Sequence, residues 1–267
     1  MAKGFTVKAK APTKKKEEEW DIPAIKERMK GKTIVFCLPG RGTSYVFLKN
    51  FVQLCFDMVQ SGLSIQISQD YSSMVNFARC KVLGANVLRG PKQIPWDGKL
   101  QYDYQLWIDS DIVFDTNKFW QLCDLAFPAD GEEKEIVAGW YATEDGTTTS
   151  VAHWLEEDDF RNNGGVMNHE TVESISKRRK PFTVDYTGFG WVLIKKGVFE
   201  NLEYPCLLLR CKSLNLVLFK ICAEKTYHSV LMPRRRVMTS GATLGFVLVT
   251  KKLVLSDRVA RYKSQGD

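Results

Sequence analysis

The chain of 267 residues predicts an α/β fold, a sheet flanked by helices, and three observations predict it. Residues 33–38 form a continuous apolar run, as expected of a strand buried on both faces. Segments with helical spacing then alternate with short strand patterns, the order that builds parallel crossovers. The third strand pattern, residues 106–114, carries Asp109 and Asp111 between two apolar runs. In such sheets ligands bind at the carboxyl ends of the strands, where Pro39, Ser68 and Asp109 are expected to meet.

Taken in order, residues 1–30 read as a charged leader. Lys14-Lys15-Lys16 is followed by Glu17-Glu18-Glu19, and a short helix is expected near 22–29. The strand at 33–38 ends in Pro39-Gly40-Arg41-Gly42, a turn whose backbone amides could face an anion. No Gly-Lys-Ser/Thr follows, so it is not a P-loop. Ser44 suits an N-cap, and Gly62 supplies a stop. Between them Leu48, Phe51, Val52, Cys55 and Met58 recur at helical spacing. Leu63, Ile65 and Ile67 alternate as a second strand. Residues 74–83 suit a helix with Val75, Ala78 and Val82 inward and Arg79 on its flank.

Asp109 and Asp111 would project to one side if extended backbone holds through both. Two like charges that close gain from sharing a hard divalent cation. A strand end closed by an Asx-type turn uses the same residues. Beyond them, Phe119, Leu122, Cys123 and Leu125 fit a short helix, and 135–142 a strand ending in Gly139-Trp140-Tyr141. The polar stretch 143–180 is longer than an ordinary connection, as in lids or disordered segments, and its His153 and His169 read as surface residues. Residues 184–194 return to the core, with Gly188 and Gly190 interleaved with aromatics so that a ligand can approach the backbone. Residues 196–199 begin a closing turn or helix.

Composition narrows the function classes. No apolar run reaches the length of a membrane span and no secretory h-region opens the chain, so a cytoplasmic location is expected. Seven cysteines form no C-x-x-C pair, which suits reduced, mostly buried thiols. The net charge of +7 is unevenly spread: residues 206–267 hold 12 Lys and Arg against 3 Asp and Glu, and residues 1–205 hold 26 against 28. The basic excess belongs to the tail and away from the aspartate pair, and nucleic acid is not an expected partner.

The ordered pieces resemble the nucleotide-sugar-dependent glycosyltransferases of the GT-A fold. The matching residues are the strand into Leu38-Pro39, Phe77-Ala78-Arg79, the segment from Leu106 to Asp111, Ala138-Gly139-Trp140-Tyr141, and the run from Thr187 to Ile194 followed by Val198-Phe199. The resemblance covers residues 31–205 and implies a Rossmann-like mixed sheet. It implies that Asp109 and Asp111 are the family's D-x-D acids, holding Mn²⁺ or Mg²⁺ against the diphosphate of a nucleotide-sugar donor. Arg79 matches a basic position near the nucleotide, with a helix-surface arginine as the alternative. Pro39 and Ser68 fall where the nucleoside is cradled. Trp140, Tyr141, Gly188, Phe189 and Gly190 fall on the side of a glycan or other hydroxyl acceptor. There Trp140, Phe189 and Trp191 either stack on sugar faces or belong to the core. Asp185 is the local candidate for a general base.

The match stops near residue 205. The family pattern continues with an acidic pair, often Gly-Glu-Asp, and a later His that completes the metal shell, and residues 206–267 contain neither. They also lack Trp, although seven occur earlier. Shifting the reading frame by one base forces Ala at Met232-Pro233 and Asp at Met238-Thr239. With permitted choices at degenerate bases it lets 222–251 read through Cys-Gly-Glu-Asp to Gly-His-Glu. Residues 206–267 are therefore expected to be a shifted-frame product of a glycosyltransferase gene, with a genuine basic extension as the alternative. Rival readings of the whole are an inactive nucleotide- or glycan-binding remnant, and a nucleic-acid-binding protein that grips phosphate with its tail.

Overall fold

The computed structural model describes residues 20–143, 145–153, 159, 162, 167–178, 181–202, 204, 229–230 and 245–249. Asp21 caps α1 (Ile22–Met29) by accepting the Ala24 amide at 3.1 Å. The helix buries Ile25 and Met29, so the helical part of the charged leader belongs to the packed body. β1 (Thr33–Pro39) is the expected apolar strand, with 34–37 fully buried. Ser44 then caps α2 (Tyr45–Gln60) by accepting the Phe47 amide. β2 (Ser64–Asp70) and α3 (Val75–Val82) follow, and β3 (Tyr104–Ile108) is buried along its whole length.

The buried face of α2 takes in only part of the apolar residues that recur at helical spacing. Phe47, Leu54 and Met58 are buried, whereas Leu48 and Val52 are 45% and 43% exposed. The helix carries apolar residues on two opposite faces, and periodicity alone does not say which one meets the sheet.

Asp115 caps α4 (Thr116–Ala126) by accepting the Lys118 amide at 2.9 Å. Asp57 of α2 fastens three helices together, bonded at 2.5 Å to both Lys26 of α1 and the Trp120 indole N–H of α4. β4 (Ile136–Trp140) is again fully buried.

The polar stretch expected to be a loop contains β5 (Thr148–His153), β6 (Asn168–Thr171) and α5 (Val172–Lys177). With β7 (Thr183–Val184) and β8 (Tyr186–Thr187) the chain leads into β9 (Trp191–Lys195). β5 lies between β6 and β8 in a small antiparallel sheet. Thr149 and His169 satisfy their polar groups on neighbouring strands, through Glu170 O and Thr149 O at 2.9 Å each, so the strands are polar in composition. That is why an apolar-run criterion passes over them.

The main sheet has the strand order β2-β1-β3-β9-β4. β1, β2 and β3 are parallel, and β9 runs antiparallel to both β3 and β4. This is a mixed α/β fold, with Trp107, Trp120, Trp140 and Trp191 among its fully buried side chains. The backbone of β10 (Ser229–Val230) and β11 (Gly245–Val249) pairs with β4, and β11 also with β7. The remainder of 206–267, which carries the frameshift expectation, lies outside the described residues, as do residues 1–19.

Candidate functional site at the carboxyl ends of the parallel strands

Three loops converge where β1, β2 and β3 end. Pro39, buried at the last position of β1, pairs in register with Asp70, the last residue of β2. The Gly40 amide donates to Asp70 O at 3.0 Å, and Thr43 Oγ1 donates to Ser110 O at 3.0 Å. Arg41 stacks its guanidinium 3.9 Å from the Tyr71 ring centroid on the rim.

The aspartate pair does not sit on a continuous strand. β3 stops at Ile108, and the chain turns at once, with the Ile112 amide bonded to Asp109 O at 3.1 Å. The expectation that extended backbone carries both carboxylates to one side is corrected: they stand on a turn. The cause is local closure, because Asp109 donates its own amide to Gly190 O at 3.0 Å, the last bond along the β3–β9 edge. Asp111 is exposed, whereas the Asp109 side chain is only 25% exposed.

Arg79 is buried at 5%, which excludes the helix-surface alternative. Its Nη2 donates to Asp109 Oδ2 at 2.9 Å and Oδ1 at 3.2 Å, and its guanidinium carbon lies 5.2 Å from the Phe189 ring centroid. Burial pushes the Asp109 carboxyl above the usual range; Arg79 opposes that rise, and Asp111 adds to it.

Among the described residues no group of three or more His, Cys, Asp or Glu is placed to hold a metal ion. The two carboxylates are hard oxygen donors of the type that Mg²⁺ or Mn²⁺ accepts. They fit an ion that takes its other ligands from a phosphorylated molecule and water, and they do not form an all-protein cage.

Other expected site residues are placed differently. Ser68 lies inside β2, and its hydroxyl donates to Val82 O at 2.6 Å and accepts from the Trp96 indole at 3.1 Å. It secures the C-terminal end of α3 from a position two residues before the end of β2, in register with Cys37. Trp140 and Trp191 are 0% exposed. Both rings lie in the core, the alternative to sugar stacking that the sequence leaves open. Phe189, 9% exposed, packs edge-on against Trp107 at 5.1 Å. The bare backbone of Gly188 and Gly190 is already covered by Tyr141: a Cβ at Gly190 would meet the Tyr141 ring and hydroxyl at 3.0 Å, and one at Gly188 would meet the hydroxyl closer still. The group that approaches these glycines is thus a side chain of the same protein, and burial raises the Tyr141 hydroxyl well above the ordinary tyrosine range.

Asp185 faces His153, with Oδ2 3.4 Å from Nδ1, and His153 Nε2 lies 3.0 Å from Glu170 Oε1. This places the expected base in a chain of polar groups on the small sheet. Glu170 also accepts from Ser174 Oγ at 2.5 Å and from Arg178. Burial would raise its carboxyl, but His153, Ser174 and Arg178 outweigh burial and hold it below the usual range. A depressed carboxylate contributes stability present above its unfolded pKa and lost as pH falls through its folded pKa. Hydrogen-exchange protection of β5 and β6 is therefore expected to decline as pH falls below about 4, and Glu170→Gln to remove most of that decline. Protection in the parent that stays flat down to about pH 3 would contradict it.

Two polar residues of the site escaped sequence reasoning. Asn76 is 7% exposed, and its Oδ1 is buried without a hydrogen-bond partner among the described residues. It precedes Arg79 by three positions on α3, so the helical spacing that flags Arg79 also flags Asn76. Tyr186 lies close enough to Arg79 to feel its charge, and only the fold brings them together.

A cavity of about 320 Å³ opens at the far end of β3, lined by Lys32, Asp103, Tyr104, Glu133 and Lys195 among others. Four of its charges are paired with one another, Lys195 with Glu133 and Lys32 with Asp103. The described residues contain no helix long and apolar enough to cross a membrane. No protein-family model matches the chain, and a search of curated proteins finds no significant match.

Proposed function

We propose that this chain derives from a metal-dependent GT-A glycosyltransferase, moving a sugar from a nucleotide-sugar donor to a hydroxyl acceptor. The observation that carries the reading is the Asp109–Asp111 turn at the carboxyl end of β3, with Arg79 buried against Asp109. In the transfer, the bond from the anomeric carbon to the donor diphosphate breaks, the acceptor oxygen bonds to that carbon, and the acceptor proton passes to a base. A Mn²⁺ or Mg²⁺ ion at this turn would supply Lewis-acid neutralisation of charge on the departing diphosphate. Asp109 and Asp111 would hold it. Arg79 orients the Asp109 carboxylate and favours its ionised form. Arg41, on the rim, adds a positive charge beside the phosphate path.

Calorimetric titration with UDP and with GDP, each with and without Mn²⁺, tests the reading. Binding that requires metal and weakens about 10- to 100-fold or more in Asp111→Ala is the expected result. No binding of either nucleotide with metal present, or binding indifferent to Asp111→Ala, overturns it.

One observation favours a second reading, an inactive remnant: residues 206–267 contain no acidic pair and only His228. Metal-dependent nucleotide binding without donor hydrolysis would support it. Restoring the reading frame downstream of Pro205 is then expected to create turnover, and early stop codons in that frame would remove the frameshift explanation.

A further inference from the structure

Residues 188–190 support Asp109 from two directions. On the backbone side, the Asp109 amide donates to Gly190 O at 3.0 Å. On the side-chain side, the Phe189 ring centroid lies 5.2 Å from the Arg79 guanidinium carbon, and Arg79 holds the Asp109 carboxylate at 2.9 and 3.2 Å. Phe189 is itself packed edge-on against Trp107 of β3 at 5.1 Å. A displacement of residues 188–190 therefore reaches both the backbone and the carboxylate of Asp109.

Tyr141, the residue that follows β4, covers this segment. A Cβ on Gly190 would stand 3.0 Å from Cε1, Cζ and the hydroxyl of Tyr141, so the ring lies directly on bare backbone. Ser150 of β5 holds the ring in that place. Its amide donates to Tyr141 O at 2.9 Å, and its Oγ accepts the Tyr141 amide at 3.3 Å. Its carbonyl accepts the Gly188 amide at 2.9 Å. One residue of the small sheet thus sets the spacing between the tyrosine and the glycines beneath it. The Tyr141 hydroxyl also lies close enough to Asp109 and Arg79 to feel both charges.

We infer that Tyr141 is a positioning residue for Asp109, its ring clamping the Gly188–Gly190 backbone at the carboxyl end of β3. Through Ser150, the small antiparallel sheet then fixes the geometry of the acidic turn. The role differs from the acceptor contact that the resemblance implies, because Tyr141 acts on Asp109 from behind. Its consequence for metal affinity rests on the proposed reading of Asp109 as a ligand of Mn²⁺ or Mg²⁺. Groups that orient a ligating carboxylate affect affinity without touching the ion.

Amide hydrogen exchange of the full chain, followed by NMR, tests the inference. Tyr141→Val is expected to speed exchange of the Asp109 amide about 10-fold, while the amides shared by β1 and β2 keep the parent rate. Tyr141→Phe keeps the ring atoms that meet Gly190 and should leave the Asp109 amide at the parent rate. Gly190→Ala presses on the same contact from the other side and should speed the same amide, which keeps the test decisive if Tyr141→Val does not fold. Mn²⁺ affinity in the presence of UDP or GDP, read from the electron paramagnetic resonance of free Mn²⁺, is expected to fall about 10- to 100-fold in Tyr141→Val and to return in Tyr141→Phe. An Asp109 amide that exchanges at the parent rate in both Tyr141→Val and Gly190→Ala overturns the inference. So does a Tyr141→Phe chain as impaired as Tyr141→Val. A parent chain that binds no Mn²⁺ with either nucleotide overturns the metal reading of the turn instead, and the exchange rates still decide the role of Tyr141.

Discussion

Arg79→Met is expected to destabilise the protein by about 3–5 kcal/mol at neutral pH, the cost of leaving a partly buried charge without its partner. The methionine preserves most of the side-chain volume under Phe189, so the loss reports the missing charge. Its pH dependence follows from the state of Asp109. Burial already holds that carboxyl above the usual range, and removing the cation raises it further. A carboxyl with a raised pKa is a liability while it is ionised, and the liability fades as pH falls through the folded value. The deficit measured by urea unfolding should therefore shrink as pH falls from neutral through the raised Asp109 value, and Asp109→Asn in the same background should recover most of it. A deficit independent of pH and unaffected by Asp109→Asn would mean that Arg79 acts through packing instead.

Gly188→Ala is the second large expected loss, about 1–3 kcal/mol or more from overpacking. The added Cβ would overlap the Tyr141 hydroxyl and stand 2.8 Å from its Cζ, with Ser150 Cβ at 3.0 Å closing the other side. The glycine backbone is not in the left-handed region, so the cost is one of space. Tyr141→Val in the same chain should reduce the added cost of Gly188→Ala, a non-additive result that thermal unfolding of the four variants would reveal. Strict additivity would show that Tyr141 is not what excludes a side chain there. Gly190→Ala, whose nearest contacts are 3.0 Å, is expected to cost less.

These two positions show why part of the site could be read in advance and part could not. Asp109 and Asp111 announce themselves by residue type and spacing after an apolar strand, and Ser44 caps the helix that its position predicts. Such signals are local, carried by a few neighbouring residues. The contact of Arg79 Nη2 with both Asp109 oxygens spans 30 residues, and the hydrogen bond from the Asp109 amide to Gly190 joins strands that meet only in the folded sheet. Ser68 illustrates the reverse case: its position on the second strand was read correctly, but its hydroxyl was already bonded to Val82 and Trp96.

The sequence by itself determined the α/β class, the buried strands β1, β3 and β4, and the aspartate pair at the carboxyl side of the sheet. Each follows from apolar runs and their period, because a strand buried on both faces tolerates little else. Only the tertiary structure decided that the pair stands on a turn, that Arg79 is buried against it, and that Tyr141 fills the space above Gly188 and Gly190. It also decided which apolar face of α2 meets the sheet and which is left exposed. Those outcomes depend on which surfaces meet when distant segments pack, and a hydrophobic period records a face without recording what covers it.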